Sequence, residues 1–225
     1  MLGTLYPKPK EFIANERETL KFLMDSAAVA TQYPVLAADA QTAYHNQGAK
    51  SAFFLFNSFI EVEHEGARRR LYIGGLIESQ KKTYTHITYS LAVGNCANRE
   101  LLRKFHFDVA LRCKNARQAQ PLFHLQYCGK LSPYLTEQGY LQNHVRPLHP
   151  WLSEPRIFST PMSLALLLDL VLHEFPDEPA VLLRSTQEWQ ALVRRNQALL
   201  LHKYYRQCMS TISNKKLLSE VFDVK

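Results

Sequence analysis

His106, Asp108 and His124 are the residues in this chain whose types and spacing suggest chemistry at one place. They lie in Lys104–Gly129, KFHFDVALRCKNARQAQPLFHLQYCG. In its first part Phe105 and Phe107 alternate with His106 and Asp108. In its last part Phe123 and Leu125 alternate with His124 and Gln126. Side chains two apart on a strand share a face, so each segment predicts a strand with one apolar and one polar face. If the two strands pair, His106, Asp108, His124 and Gln126 join in one polar cluster. A histidine held by a carboxylate can act as a general base, and two histidines with an aspartate can hold a divalent ion. The plainer reading is structural: a histidine on a sheet hydrogen-bonds its neighbour to satisfy a polar atom. His64 and His86 lie on other expected strands, and nothing in the sequence brings them to the cluster.

Other chemistry finds little support. No Gly-x-Ser-x-Gly elbow is present, and Ser90 and Cys128 sit in strand contexts. Neither GxxxxGK[ST] nor a GxGxxG opening a helix occurs, so no nucleotide cofactor is expected through those motifs. Gly74-Gly75 falls inside a strand pattern and predicts a bulge or a close backbone approach. The four cysteines are widely spaced without a CxxC pair, as in a reduced protein with no structural zinc. No metal is expected.

The formal charge of +7 favours an anionic partner: nucleic acid, an acidic protein or a membrane surface. The basic candidates for binding are Arg68-Arg69-Arg70 at an expected hairpin, Arg156, and Arg194, Arg195, Lys203 and Arg206 near Tyr204-Tyr205. Basic side chains with interleaved aromatics can grip phosphates and stack on bases. Arg156, just ahead of an apolar helix, is placed to pair with Asp108. The N-terminal MLGTLYPKPKEF lacks the apolar core of a signal peptide, and the longest apolar run, Leu164–Leu168, is too short to span a bilayer. A cytoplasmic protein without a transmembrane segment is expected.

The elements that must position these residues make an α+β fold. Residues 1–48 predict N-terminal helices, one from Glu11 and an Ala-rich one over Val35–Asn46, with a break at Pro34. Residues 51–129 predict an antiparallel sheet of about five strands, with turns near Glu65-Gly66 and at Gln80–Lys82, and a short helical turn at Asn98–Arg103. Residues 130–160, with prolines at 133, 147, 150 and 155, read as a long loop. Residues 161–225 form a C-terminal helical layer. Thr160-Pro161 should cap a buried helix packed on the sheet, followed by a helical region over 178–213 broken near Arg184-Ser185. A last helix, Lys215–Phe222, closes a single domain.

Phe105-His106-Phe107-Asp108 are followed in order by Pro121-Leu122-Phe123-His124-Leu125-Gln126, then by Pro155-Arg156 and Pro161-Met162 before the helix ending in His173-Glu174-Phe175. Over residues 104–176 this order resembles an uncharacterised bacterial family associated with mobile elements and phage defence. The resemblance implies an antiphage role beside a protein partner encoded nearby, and no reaction. The expected function is a non-enzymatic binding or sensor component that meets an anionic target. The alternatives are a metal- or His-dependent phosphodiesterase or nuclease using His106, Asp108 and His124, and a nucleic-acid-binding regulator.

Overall fold

A computed structural model describes residues 6–48, 50–64, 67–95, 100–109, 111, 122–127, 141–142 and 156–213. The chain opens with three helices: α1 (Pro9–Asp25), α2 (Ala27–Gln32) and α3 (Pro34–His45). Prolines at the first turns of α1 and α3 sit where a missing N–H costs nothing. Ser26 separates α1 from α2 and accepts a hydrogen bond from Val29 N–H.

Strands β1 (Ser51–His64), β2 (Ala67–Gln80), β3 (Thr83–Asn95), β4 (Glu100–Val109) and β5 (Phe123–Tyr127) follow in chain order. Each pairs antiparallel with the next, as the meandering pattern predicts. Lys81 and Lys82, with φ of 50° and 66°, form the two-residue turn between β2 and β3. Positive φ at both positions matches the strand twist, although two lysines adopt it at some cost.

The expected long loop contains two further strands among its described residues. β6 (Leu141–Gln142) runs parallel to the start of β4, and β7 (Arg156–Phe158) pairs antiparallel with β5. Residues 100–103 are strand as well, where a helical turn was expected; pairing of Val93 and Gly94 with β4 fixes them in the sheet. The expected helix over 215–222 lies outside the described residues.

The remaining helices are α4 (Leu164–Glu174), α5 (Glu178–Ser185) and α6 (Gln187–Ser213), broken at Thr186 next to the expected site. Ser163, not Thr160, caps α4 by accepting from Leu166 N–H. The main neighbours of α4 are α1, α5 and α6, while α1 and α3 lie on β1 and β2. One apolar core joins these layers. It takes Phe12, Leu20 and Leu23 from α1, Phe54, Ile73, Tyr89 and Phe123 from the sheet, and Leu168, Trp189 and Leu200 from the C-terminal helices. Among the described residues no helix is long and apolar enough to cross a membrane.

The glycine pair in β2 is a close approach, not a bulge. Gly75 stands opposite Phe54, and the Phe54 ring occupies the space that a Cβ on Gly75 would need. Gly74 faces the other way, where a Cβ meets the movable ends of Ser90 and Leu55 and touches the Phe54 carbonyl only at ordinary contact distance. Overpacking a rigid aromatic contact costs about 1–3 kcal/mol. Gly75→Ala should therefore lower stability by that amount in urea denaturation, and Gly74→Ala by distinctly less; equal effects would refute this packing.

Candidate functional site: a polar sheet face and a buried carboxyl

Alternation divides the sheet into two chemically different faces. Phe105, Phe107 and Val109 of β4 and Phe123 of β5 pack toward the core. The intervening residues lie on the opposite face. There the ladder sets Asp108 between Thr88 and His124, and His106 between Ser90 and Gln126. The four residues predicted to cluster are therefore adjacent, and Thr88 and Ser90 of β3 complete the set.

The geometry shows what each group is doing. Asp108 Oδ1 accepts a short hydrogen bond from the Thr88 hydroxyl. Its Oδ2 stands 4.0 Å from His124 Nε2, an ion pair when that imidazole is protonated. His124 is only 4% exposed. The cavity that touches Asp108 and Phe123, about 10 Å³ in volume, is no larger than a single water molecule. Among the described residues no three His, Cys, Asp or Glu side chains are arranged to hold a metal ion. The arrangement can orient an imidazole and pin three strands together. A general base needs access to its substrate; His124 is withdrawn from water, whereas the Asp108 side chain keeps 27% of its surface exposed.

Arg156 pairs with Gln126 across the β5–β7 ladder, which sets it beside the cluster in register. Its side chain, and with it the expected pair to Asp108, lies outside the described residues. His86 is exposed and opposite Glu78, and the His64 side chain is outside the described residues.

The basic candidates separate into spent and unspent groups. Arg70 Nε donates to Glu61 Oε1 at 3.0 Å, and Arg68 stands 3.7 Å from Glu61 Oε2. Two of the three hairpin arginines thus share one carboxylate, which offsets one of their two charges, and Arg69 is half-buried. On α6, Arg194, Arg195, Lys203 and Arg206 are all exposed. Arg206 contacts His202 Nε2 at 3.2 Å.

No family model, characterised protein or solved structure matches this chain.

A second polar constellation escaped the sequence reading. Glu16 is completely buried, with Oε2 accepting from Leu164 N–H at 3.0 Å and Oε1 from Asn15 Nδ2 at 3.3 Å. Asn15 Nδ2 also donates to Asn196 Oδ1 at 2.7 Å, and Asn196 Nδ2 to the Leu192 carbonyl at 2.9 Å. The Tyr89 hydroxyl comes near enough to favour the Glu16 carboxylate, yet it makes no hydrogen bond of ordinary geometry. Burial pushes the Glu16 carboxyl up from 4.5 to about 7, against the lowering effects of Leu164 N–H, Tyr89, Asn15 and the Arg195 charge. The same burial, with Glu16 next in order, raises the Tyr89 hydroxyl well above its usual value. The signal was present in the sequence. Glu16 sits on the stripe of Phe12, Ile13, Leu20 and Leu23, and Asn196 on that of Trp189, Leu192, Val193 and Leu200.

A carboxyl whose folded pKa is raised makes the folded state bind its proton more tightly than the unfolded state does. Its contribution is fully present below pH 4.5 and is lost as pH rises through about 7. The full loss amounts to roughly 3 kcal/mol. Urea midpoints between pH 5 and pH 8 should fall for the wild type, and Glu16→Gln should flatten that slope. An unchanged slope in Glu16→Gln would assign the effect elsewhere.

Proposed function

We propose that the chain is a non-enzymatic binding component that meets an anionic target through the exposed cations of α6. The observation that carries this is the difference between its arginines. In the hairpin Arg68 and Arg70 share Glu61, whereas Arg194 and Lys203 of α6 make no hydrogen bond or ion pair among the described residues. Glu188 is the one acid in α6. Unpaired cations along one helix attract an extended anionic surface and make binding depend on salt. The resemblance of residues 104–176 supports a place in bacterial antiphage defence beside a protein partner, and the unpaired spacing of the cysteines supports the cytoplasm.

The competing proposal is a phosphodiesterase or nuclease that uses His106, Asp108 and His124. The approach of His124 to Asp108 favours it; the burial of His124 and the engagement of Asp108 by Thr88 weigh against it. Nucleic-acid regulation is one form of the leading proposal, with the anionic target a polynucleotide.

Fluorescence anisotropy with a single-stranded oligonucleotide and with an acidic peptide, and cosedimentation with phosphatidylserine vesicles, test the reading. At least one probe should bind at low salt and weaken steeply as salt rises. Arg194→Glu/Lys203→Glu should reduce that binding about tenfold or more, while His124→Ala leaves it unchanged. Binding indifferent to the charge reversal, or absent for all three probes, would contradict the proposal.

A further inference from the structure

Strand β1 ends the sheet: among the described residues no strand pairs beyond it. One bond, from Ser79 N–H to the Lys50 carbonyl, fixes which of its main-chain groups face β2. Those groups alternate sides along a strand, so Ala52, Phe54 and Phe56 bond toward β2, while Ser51, Phe53 and Leu55 turn theirs to the free edge. A free edge is a template for another chain, and charges or prolines usually blunt it. Ser51–Ile60, SAFFLFNSFI, has neither. Its composition is that of a segment that stacks on its own copies: β-prone, uncharged and free of proline and glycine. The Phe53 side chain adds to the hazard, with 49% of its surface exposed. A bulge between Asn57 and Ile60 interrupts the pairing at one end and leaves Ser51–Asn57 in regular register.

One side chain reaches that stretch. Gln47, two residues beyond α3, accepts from Phe53 N–H at 2.9 Å through Oε1 and donates to the Phe53 carbonyl through Nε2. An added antiparallel strand would exchange the same two bonds with Phe53. Nε2 also donates to the Ala43 carbonyl, one of the acceptors that the end of α3 leaves open. Both amide hydrogens and one oxygen lone pair are thus engaged, and the carboxamide is held from the helix as well as from the strand. A glutamate of the same length has no hydrogen to offer either carbonyl.

We propose that Gln47 is an edge plug: its carboxamide stands in for a neighbouring strand and closes β1 to addition of the same segment from another copy. Phe53 lies inside the outward-facing run from Ser51 to Asn57, so occupying it denies an incoming strand a continuous ladder. The bulge guards one end of β1 and Gln47 guards the other. The plug is independent of the anionic target, because it acts at the sheet edge and leaves the cations of α6 untouched.

Amide hydrogen exchange and sedimentation velocity of the full chain test it together. In the wild type, Phe53 N–H should exchange about tenfold or more slowly than Leu55 N–H of the same edge, after correction for intrinsic rates. Gln47→Met keeps the side-chain length and removes all three hydrogen bonds. It should bring Phe53 exchange to the Leu55 rate, and at about 100 µM it should form larger species that the wild type does not. Adding Phe53→Lys to Gln47→Met places a charge on the bare edge and should return the wild-type sedimentation profile. Equal exchange of Phe53 and Leu55 in the wild type overturns the proposal, and needs no variant to fold. So does a folded Gln47→Met that sediments like the wild type, or an association that Phe53→Lys leaves unchanged.

Discussion

The buried carboxyl of Glu16 is the constraint on which the helical half depends. A lone charge in an apolar interior is costly unless hydrogen bonds meet it. Here two reach it, from Leu164 N–H at the start of α4 and from Asn15 Nδ2 of α1, and Asn15 Nδ2 also donates to Asn196 Oδ1 of α6. The positive end of the α4 dipole faces the carboxyl, which favours its negative form and offsets part of the desolvation. Satisfying one side chain thus fixes how α1, α4 and α6 sit together. With Asn196 held inside, the opposite side of α6 must face out, and Arg194, Tyr205 and Met209 are exposed there.

The sheet adds a second constraint, the strict alternation of its strands. Phenylalanines and tyrosines fill the face toward the helices. Tyr6, Phe12, Tyr84 and Phe123 form one group of ring contacts that ties the N-terminal segment to β3 and β5, and Tyr204 joins Phe123 from α6. The polar residues must then share the other face. A carboxylate engaged by Thr88 and an imidazole withdrawn from water are what strand cross-linking requires. The same pair in an enzyme needs space for a substrate, and the described cavity beside Asp108 holds no more than one water molecule.

Much of this was legible in the residues. The alternation around His106 and His124 led to the pairing of Asp108 with His124, and the glycine pair signalled a close approach. The sequence misled where tertiary pairing outweighs local pattern. Glu100–Arg103 continue β4 because β3 offers them partners, and Ser163 takes the cap that Thr160-Pro161 advertised. The contact of the hairpin arginines with Glu61 was readable in principle, since the β1–β2 register sets Glu61 opposite Arg70. Glu16 and Asn196 were hidden by a habit of pattern reading: apolar positions define a stripe, and a polar residue on it passes unnoticed. Its partner in the fold, Asn15, lies one residue away and carries no signal of its own.

We propose that the histidine cluster cross-links the sheet and does not carry the function. Affinity purification of the tagged protein at low salt, wild type beside His106→Ala/His124→Ala, tests it most directly. The account predicts that a folded double variant retains the same protein, lipid or nucleic acid as the wild type. Loss of a small phosphorylated ligand or of a metal ion from a folded double variant, with the wild type retaining it, would contradict the account and give the cluster a catalytic role.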